Sequence, residues 1–73
     1  MEHNIITKEL RLEVGQALWE ARRKKKLRLS SVAEAINVNE KYIDLIEMGR
    51  VFEFSLVRKL ANFYGVSVKV VFD

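Results

Sequence analysis

Apolar residues recur every three or four positions along most of the chain, which is the pattern of amphipathic helices. In the first such segment, residues 7 to about 25, Thr7 is placed to cap the helix start and cationic residues gather at the helix end. The pattern therefore predicts a first helix with one face turned toward a core. The apolar residues of that face are Leu10, Val14, Ala17, Leu18 and Ala21.

Two short helices are predicted next, separated by a tight turn. The second helix begins near Leu29 or Ser30, with the serine pair at positions 30 and 31 as its cap, and ends at Asn37, a residue that tolerates the left-handed conformation. The third helix covers residues 39–48, is capped by its asparagine and stops at Gly49. Each helix has about two turns.

A fourth helix and a short tail complete the pattern. The helix is predicted to begin at a Ser55 cap and to end at Gly65. The tail, residues 66–73, alternates in the manner of a strand, although Ser67 also fits the cap of a short fifth helix. We favour the strand, and because a lone strand needs a partner, we expect it to pair across a homodimer. The predicted dimer residues are Val66, Val68, Val70 and Phe72.

Length and composition restrict what such a chain does. The 73 residues suit one domain, residues 1–73, and the absence of cysteine excludes disulfides and thiolate metal sites. His3 is the only histidine and has no second ligand near it, so no metal and no cofactor is expected. Apolar runs fall short of the roughly 20 residues that span a bilayer, and the N-terminus is not a signal peptide, so we expect a cytoplasmic protein and no enzyme.

Positive charge is concentrated rather than spread. The formal net charge is only +3, yet six of the thirteen lysines and arginines lie within residues 22–28. This segment follows the first helix, where cations stabilise the negative end of the helix dipole. It is also suited to binding phosphate, and both explanations stay open from the residues alone.

The middle of the chain resembles the phage-repressor type of helix-turn-helix domain, the Cro and lambda-repressor-like family. The residues that carry the likeness are Leu27, Val32, Ala33, Ile36, Ile43, Ile46, Glu47, Gly49 and Arg50, followed by residues 60–67. The match covers residues 14–68, about three quarters of the chain. The resemblance implies an all-α bundle of four to five helices whose helix-turn-helix core lies at about residues 29–48.

The same resemblance implies a function, a sequence-specific transcriptional regulator of the repressor or antitoxin type, associated with the nucleoid. Its third helix would enter the major groove of double-stranded DNA. The residues implied to face bases are Asn39, Glu40, Lys41 and Asp44, and those implied to contact phosphates are Lys24, Lys25, Lys26, Arg28, Ser30 and Arg50. An Arg22–Glu47 ion pair is implied as a structural element that fixes the angle between helices.

Three features depart from the family pattern. Leu29 stands where many members carry a phosphate-binding glutamine, and the third helix has three carboxylates against one lysine. The loop after it carries Phe52 and Phe54 where a polar loop is usual. Residues 32–49 are also similar to the cytoplasmic domain of RodZ-type cell-shape proteins, which bind the bacterial actin MreB. The alternative is therefore a protein-interaction domain of the same fold that binds a cytoskeletal or other protein partner, with the two phenylalanines as a contact surface.

Overall fold

The computed structural model describes residues 7–67, and these residues form four α-helices and no strand. The helices are α1 (Lys8–Lys24), α2 (Leu29–Ile36), α3 (Glu40–Glu47) and α4 (Phe54–Tyr64). The prediction of an all-α bundle is confirmed. Residues 68–73 lie outside the described part of the chain, so the choice between a strand and a fifth helix stays a prediction.

The ends of α1 follow the local sequence. Thr7 caps the helix, since its Oγ1 accepts a hydrogen bond from the Leu10 N–H at 3.1 Å, as predicted. At the other end Lys25 is the C-cap, and Lys26 takes a left-handed conformation with φ of +57°. The Leu27 N–H reaches back to the Arg22 carbonyl, which closes the helix end with a Schellman-type bond.

The turn between α2 and α3 is set by two asparagines. Asn37 ends α2 in the left-handed region with φ of +59°, and Asn39 caps α3 by accepting from the Lys41 N–H at 2.8 Å. Both roles were predicted. The predicted serine cap of α2 is wrong, because the helix already begins at Leu29 and its N-cap, Arg28, makes no side-chain capping bond. Leu29 lies in the first turn of α2 and packs against the core.

Helix α4 also begins earlier than predicted. Its N-cap is Glu53, whose Oε1 accepts from the Leu56 N–H at 2.7 Å, so the predicted Ser55 cap is wrong. The loop delivers Glu53 in an extended conformation with its carboxylate over the first turn, and Ser55 is then already helical. The predicted end at Gly65 is confirmed, with φ of +72° and the Val66 N–H bonded to the Ala61 carbonyl.

The core lies where all four helices meet, because α3 and α4 each pack against both α1 and α2. Its fully buried side chains are Leu18, Val32, Ile43, Ile46 and Leu60. Burying several such side chains, at roughly 1.5–3 kcal/mol each, is the main force that holds a domain of this size together. All the buried residues of this core are apolar or aromatic within residues 7–67, apart from Gly15 and Gly49.

Helices α1 and α3 cross at unusually close range, and Gly15 permits it. A Cβ at this position would collide with the Ile46 carbonyl and would lie 2.7 Å from the Glu47 carbonyl oxygen. A glycine in a helix interior costs about 1 kcal/mol relative to alanine. That cost is offset here by the close packing of the last turn of α3 on α1.

Candidate functional site

Helix α3 has an inner and an outer face. The inner face buries Ile43 and Ile46 completely, which fixes the rotation of the helix about its axis. The outer face therefore carries the other side chains apart from Glu47, and they are largely exposed. Eight residues give a helix of about 12 Å, close to the width of the major groove of B-DNA.

The four residues expected to face bases all lie exposed at or along α3. Glu40, Lys41 and Asp44 are helical, and none of them forms an ion pair within residues 7–67. Asn39 uses its side-chain oxygen as the helix cap, which leaves its amide nitrogen as the group that donates to a ligand. The four side chains together form a polar surface at the start of α3.

Arg22 and Glu47 meet behind α3. The guanidinium donates to both carboxylate oxygens, with Nε–Oε2 of 2.8 Å and Nη2–Oε1 of 2.9 Å, and the Glu47 side chain is only 4% exposed. These hydrogen bonds raise the pKa of Arg22. A third bond runs from Nη1 to the Leu27 carbonyl at 2.9 Å. One arginine therefore holds the end of α3 and the loop before α2 in a fixed relation.

The last residue of α1 and the loop after it carry four of the cations expected to contact phosphate. Lys24, Lys25, Lys26 and Arg28 are all exposed, and none pairs with a carboxylate within the described part of the chain. Lys26 is notable because its left-handed conformation favours glycine or asparagine. A lysine at this position therefore lowers the stability of the fold relative to glycine.

The start of α2 is open to solvent. Since Arg28 makes no capping bond, no side chain within the described residues accepts from the first N–H groups of α2. Ser30, one of the residues expected to contact phosphate, is exposed in this first turn. Free N–H groups at a helix start favour an anion, and Arg28 adds a positive charge at the same place.

Arg50 is the sixth residue expected to contact phosphate, and it is exposed just beyond α3. Its backbone N–H bonds to the Leu45 carbonyl, and Gly49 before it has φ of +75°. This left-handed glycine turns the chain out of the helix. The Arg50 side chain is thus presented at the opposite end of α3 from Asn39.

Of the residues expected to form a dimer, only Val66 is described, and it is 38% exposed. Val68, Val70 and Phe72 lie outside the described residues.

The expected protein-contact residues differ from each other, because Phe52 packs against the core and Phe54 is 51% exposed. Their rings meet edge to face with centroids 4.9 Å apart.

Several residues of this region were missed at the level of sequence. Tyr42 is 57% exposed on the outer face of α3, and the inward positions of Ile43 and Ile46 are the signal that places it there. Arg11 lies eleven residues before Arg22, three turns along the same face of α1, and its Nε donates to the Gly49 carbonyl at 3.1 Å. It is a second link between α1 and the end of α3.

Tyr64 is a buried neighbour of the Arg22–Glu47 pair that sequence reasoning also missed. It is 2% exposed, and its hydroxyl has no hydrogen-bond partner among residues 7–67. Burial, reinforced by the nearby charge of Glu47, raises the pKa of Tyr64 to about 12. The phenol therefore stays neutral at any physiological pH.

Other kinds of site lack the necessary groups in the described residues. Residues 7–67 contain no cluster of three or more histidine, aspartate or glutamate side chains placed to hold a metal ion. No helix among them is both long enough and apolar enough to cross a membrane.

Comparison with known proteins assigns the family. The helix-turn-helix family model matches residues 20–71, well over half of the chain. No curated protein and no solved structure matches at a significant level. The matched segment includes α2, the asparagine-bounded turn and α3. The chain therefore belongs to the helix-turn-helix family of the Cro and phage-repressor type, a family of DNA-binding regulatory domains rather than of enzymes.

Proposed function

We propose that this protein is a sequence-specific transcriptional regulator, a repressor or an antitoxin-type regulator, that places α3 in the major groove of double-stranded DNA. The observation that carries the proposal is the combination of an outward α3 and the adjacent cationic loop. The Arg22 guanidinium bonds to Glu47 at the end of α3 and to the Leu27 carbonyl in the loop. A single side chain therefore connects α3 to the cationic loop.

The proposed docking divides the contacts by chemistry. Phosphates are contacted by Lys24, Lys25, Lys26, Arg28, Ser30 and Arg50 together with the open N–H groups of α2. Base edges are contacted by Asn39, Glu40, Lys41 and Asp44, with the two carboxylates accepting from amino groups of cytosine. Because each neutralised phosphate releases counterions, affinity falls steeply with salt. Such a role associates the protein with the nucleoid.

The first test is selection from a pool of random duplexes, followed by titration of the selected duplex at two salt concentrations. We expect sequence-dependent binding that weakens at the higher salt. No binding to any duplex at low salt would contradict the proposal.

Variants then separate the two classes of contact. Arg50→Ala should weaken binding to all sequences alike and reduce the salt slope by about one, whereas Lys41→Ala should change the preferred base. Lys59→Ala is the matched control, since Lys59 is an exposed lysine on α4 outside the proposed interface. If Lys59→Ala weakens binding as much as Arg50→Ala, the docking is wrong.

We further propose that the protein acts as a homodimer joined through residues 66–72. Val66 supports this, because it is an exposed apolar residue at the exit of α4. Removing residues 68–73 leaves the hydrogen bond from Val66 to Ala61 in place and should give a monomer. Sedimentation measures both masses, and a full-length chain that sediments as a monomer contradicts this part.

A second candidate function is binding of a protein partner through the same fold. The observation in its favour is that Phe54, the first residue of α4, is half-exposed and contacts Phe52 in the preceding loop. Under this alternative, Phe54→Ser abolishes partner binding and leaves DNA binding unchanged. Under the leading proposal, duplex affinity depends on Arg50 and not on Phe54.

A further inference from the structure

The centre of the outer face of α3 is apolar. Lys41, Leu45 and Met48 follow one another at spacings of four and three residues, so they form one ridge along the helix. Met48 is 49% exposed, and Tyr42 beside the ridge is 57% exposed. Leu45 and Met48 make up the apolar part of this ridge. They favour contact with an apolar group on the ligand.

Leu45 has no role in the core that explains its presence. Among the described residues, the partly buried apolar side chains that pack against the core come from α1, α2, α4 and the loops, and Leu45 is not among them. It is half-buried on the helix face opposite Ile43 and Ile46. A leucine in the middle of an otherwise polar, outward helix face is therefore a candidate contact residue.

The edges of bases in the major groove offer one apolar group, the C5-methyl of thymine. We propose that Leu45, with Met48 beside it, contacts thymine methyl groups and so makes the protein select thymine in the middle of its site. This inference rests on the proposed DNA-binding function. It names the base that the apolar part of α3 recognises, whereas the polar residues at the start of α3 contact hydrogen-bonding edges.

The expected effect is modest and measurable. Burying one methyl group contributes enough to change affinity about fourfold. Replacing thymine by deoxyuridine removes this methyl and leaves every hydrogen-bonding group of the base in place. The substitution therefore isolates the contact without disturbing the rest of the duplex.

The experiment uses the full chain and the duplex that it selects from a random pool, with each thymine replaced in turn by deoxyuridine. We expect at least one position at which the replacement weakens binding about fourfold for the unmodified protein and has no effect on Leu45→Ala. Lys59→Ala, outside the proposed interface, is the control and should keep both the affinity and the fourfold penalty. Met48→Ala, with its own thermal melt, serves as a second variant if Leu45→Ala does not fold.

Each outcome bears on a separate claim. Sequence-specific binding with no deoxyuridine penalty at any position, or a selected site without thymine, overturns the thymine contact and leaves the proposed function standing. A penalty of equal size in the unmodified protein, Leu45→Ala and Met48→Ala also overturns it. Absence of binding to every duplex at low salt overturns the proposed function and the thymine contact together.

Discussion

Carboxylates and tyrosines lie on both the inner and the outer side of α3, but they differ in exposure and pairing. On the inner side the carboxylate of Glu47 is 4% exposed, and both its oxygens accept hydrogen bonds from Arg22. On the outer side the carboxylates of Glu40 and Asp44 are exposed and pair with no cation of residues 7–67. Tyrosines divide in the same way, with Tyr64 buried behind the helix and Tyr42 exposed in front of it.

The difference shows which polar groups the fold needs. A charge taken out of water must be paired, so the inner carboxylate is a structural element, and its loss affects the whole domain. An exposed, unpaired carboxylate contributes almost nothing to the stability of the fold. The two sides should therefore respond differently to matched substitutions, by stability on the inner side and by binding on the outer side.

The largest effect is expected from Glu47→Ala. The substitution removes the carboxylate that pairs with the largely buried Arg22 guanidinium. We expect the free energy of unfolding to fall by about 3 kcal/mol. Asp44→Ala on the outer side should change it by only about 0.5 kcal/mol or less. Urea denaturation measures both, and equal losses would contradict the distinction between the two sides.

Alkaline pH should act on the inner tyrosine. The pKa of Tyr64 is about 12 in the folded protein and about 10 in an unfolded chain, so the unfolded state loses its proton first. The resulting stabilisation is complete below pH 10 and is lost as the pH rises toward 12, a fall of about 2 kcal/mol. Tyr64→Phe should remove this part of the pH dependence, and Tyr42→Phe should retain it. Urea denaturation between pH 9 and 12 tests this expectation.

Gly15→Ala probes the close crossing that holds the inner side together. The new methyl collides with the last turn of α3, and after allowing for the better helix propensity of alanine we expect a net loss of about 1–2 kcal/mol. Gln16→Ala on the exposed face of the same helix is the control and should leave the melting temperature nearly unchanged. A stabilised Gly15→Ala protein would mean that the two helices separate at little cost.

The smallest effect on stability, and the one of opposite sign, is expected from Lys26→Gly. Glycine relieves the left-handed backbone, so the free energy of unfolding should rise by about 0.5–1 kcal/mol while affinity for DNA falls. Lys25 has an ordinary φ of −87°, so Lys25→Gly should bring no such gain. Thermal melts and duplex titrations of the two variants test whether the fold gives up stability to keep this charge.

Local signals in the sequence predicted most of the fold. Four helices, the caps Thr7 and Asn39 and the left-handed stops Asn37 and Gly65 depend on contacts within a turn or two, and the structure confirms them. The predicted start of α2 near Leu29 is confirmed, whereas its serine cap and the predicted Ser55 cap of α4 were wrong because the competing choice was tertiary. Leu29 is drawn into the core, and the loop before α4 delivers Glu53 rather than Ser55 as the cap.

The candidate site was predicted less completely. The exposed cations and the start of α3 were identified from charge clustering and family resemblance, whereas Tyr42, Tyr64 and the Arg11 contact were not. Those three residues depend on how α3 is rotated and on what packs behind it. Periodicity shows only that a helix has two faces, and the neighbours of each face are known only after the chain has folded.

The sequence by itself determined the four helices of residues 7–67, most of their ends and the basic segment, because helix periodicity, capping and charge density are properties of neighbouring residues. Family resemblance implied the Arg22–Glu47 pair, but only the tertiary structure shows that the Glu47 carboxylate is buried and accepts two hydrogen bonds while those of Glu40 and Asp44 are exposed. Glu47 pairs with Arg22, which lies 25 positions earlier in the chain. The last turn of α3 can lie on α1 because Gly15 has no side chain. Burial and pairing across such distances arise from packing, and they separate a carboxylate that holds the domain together from one that faces outward.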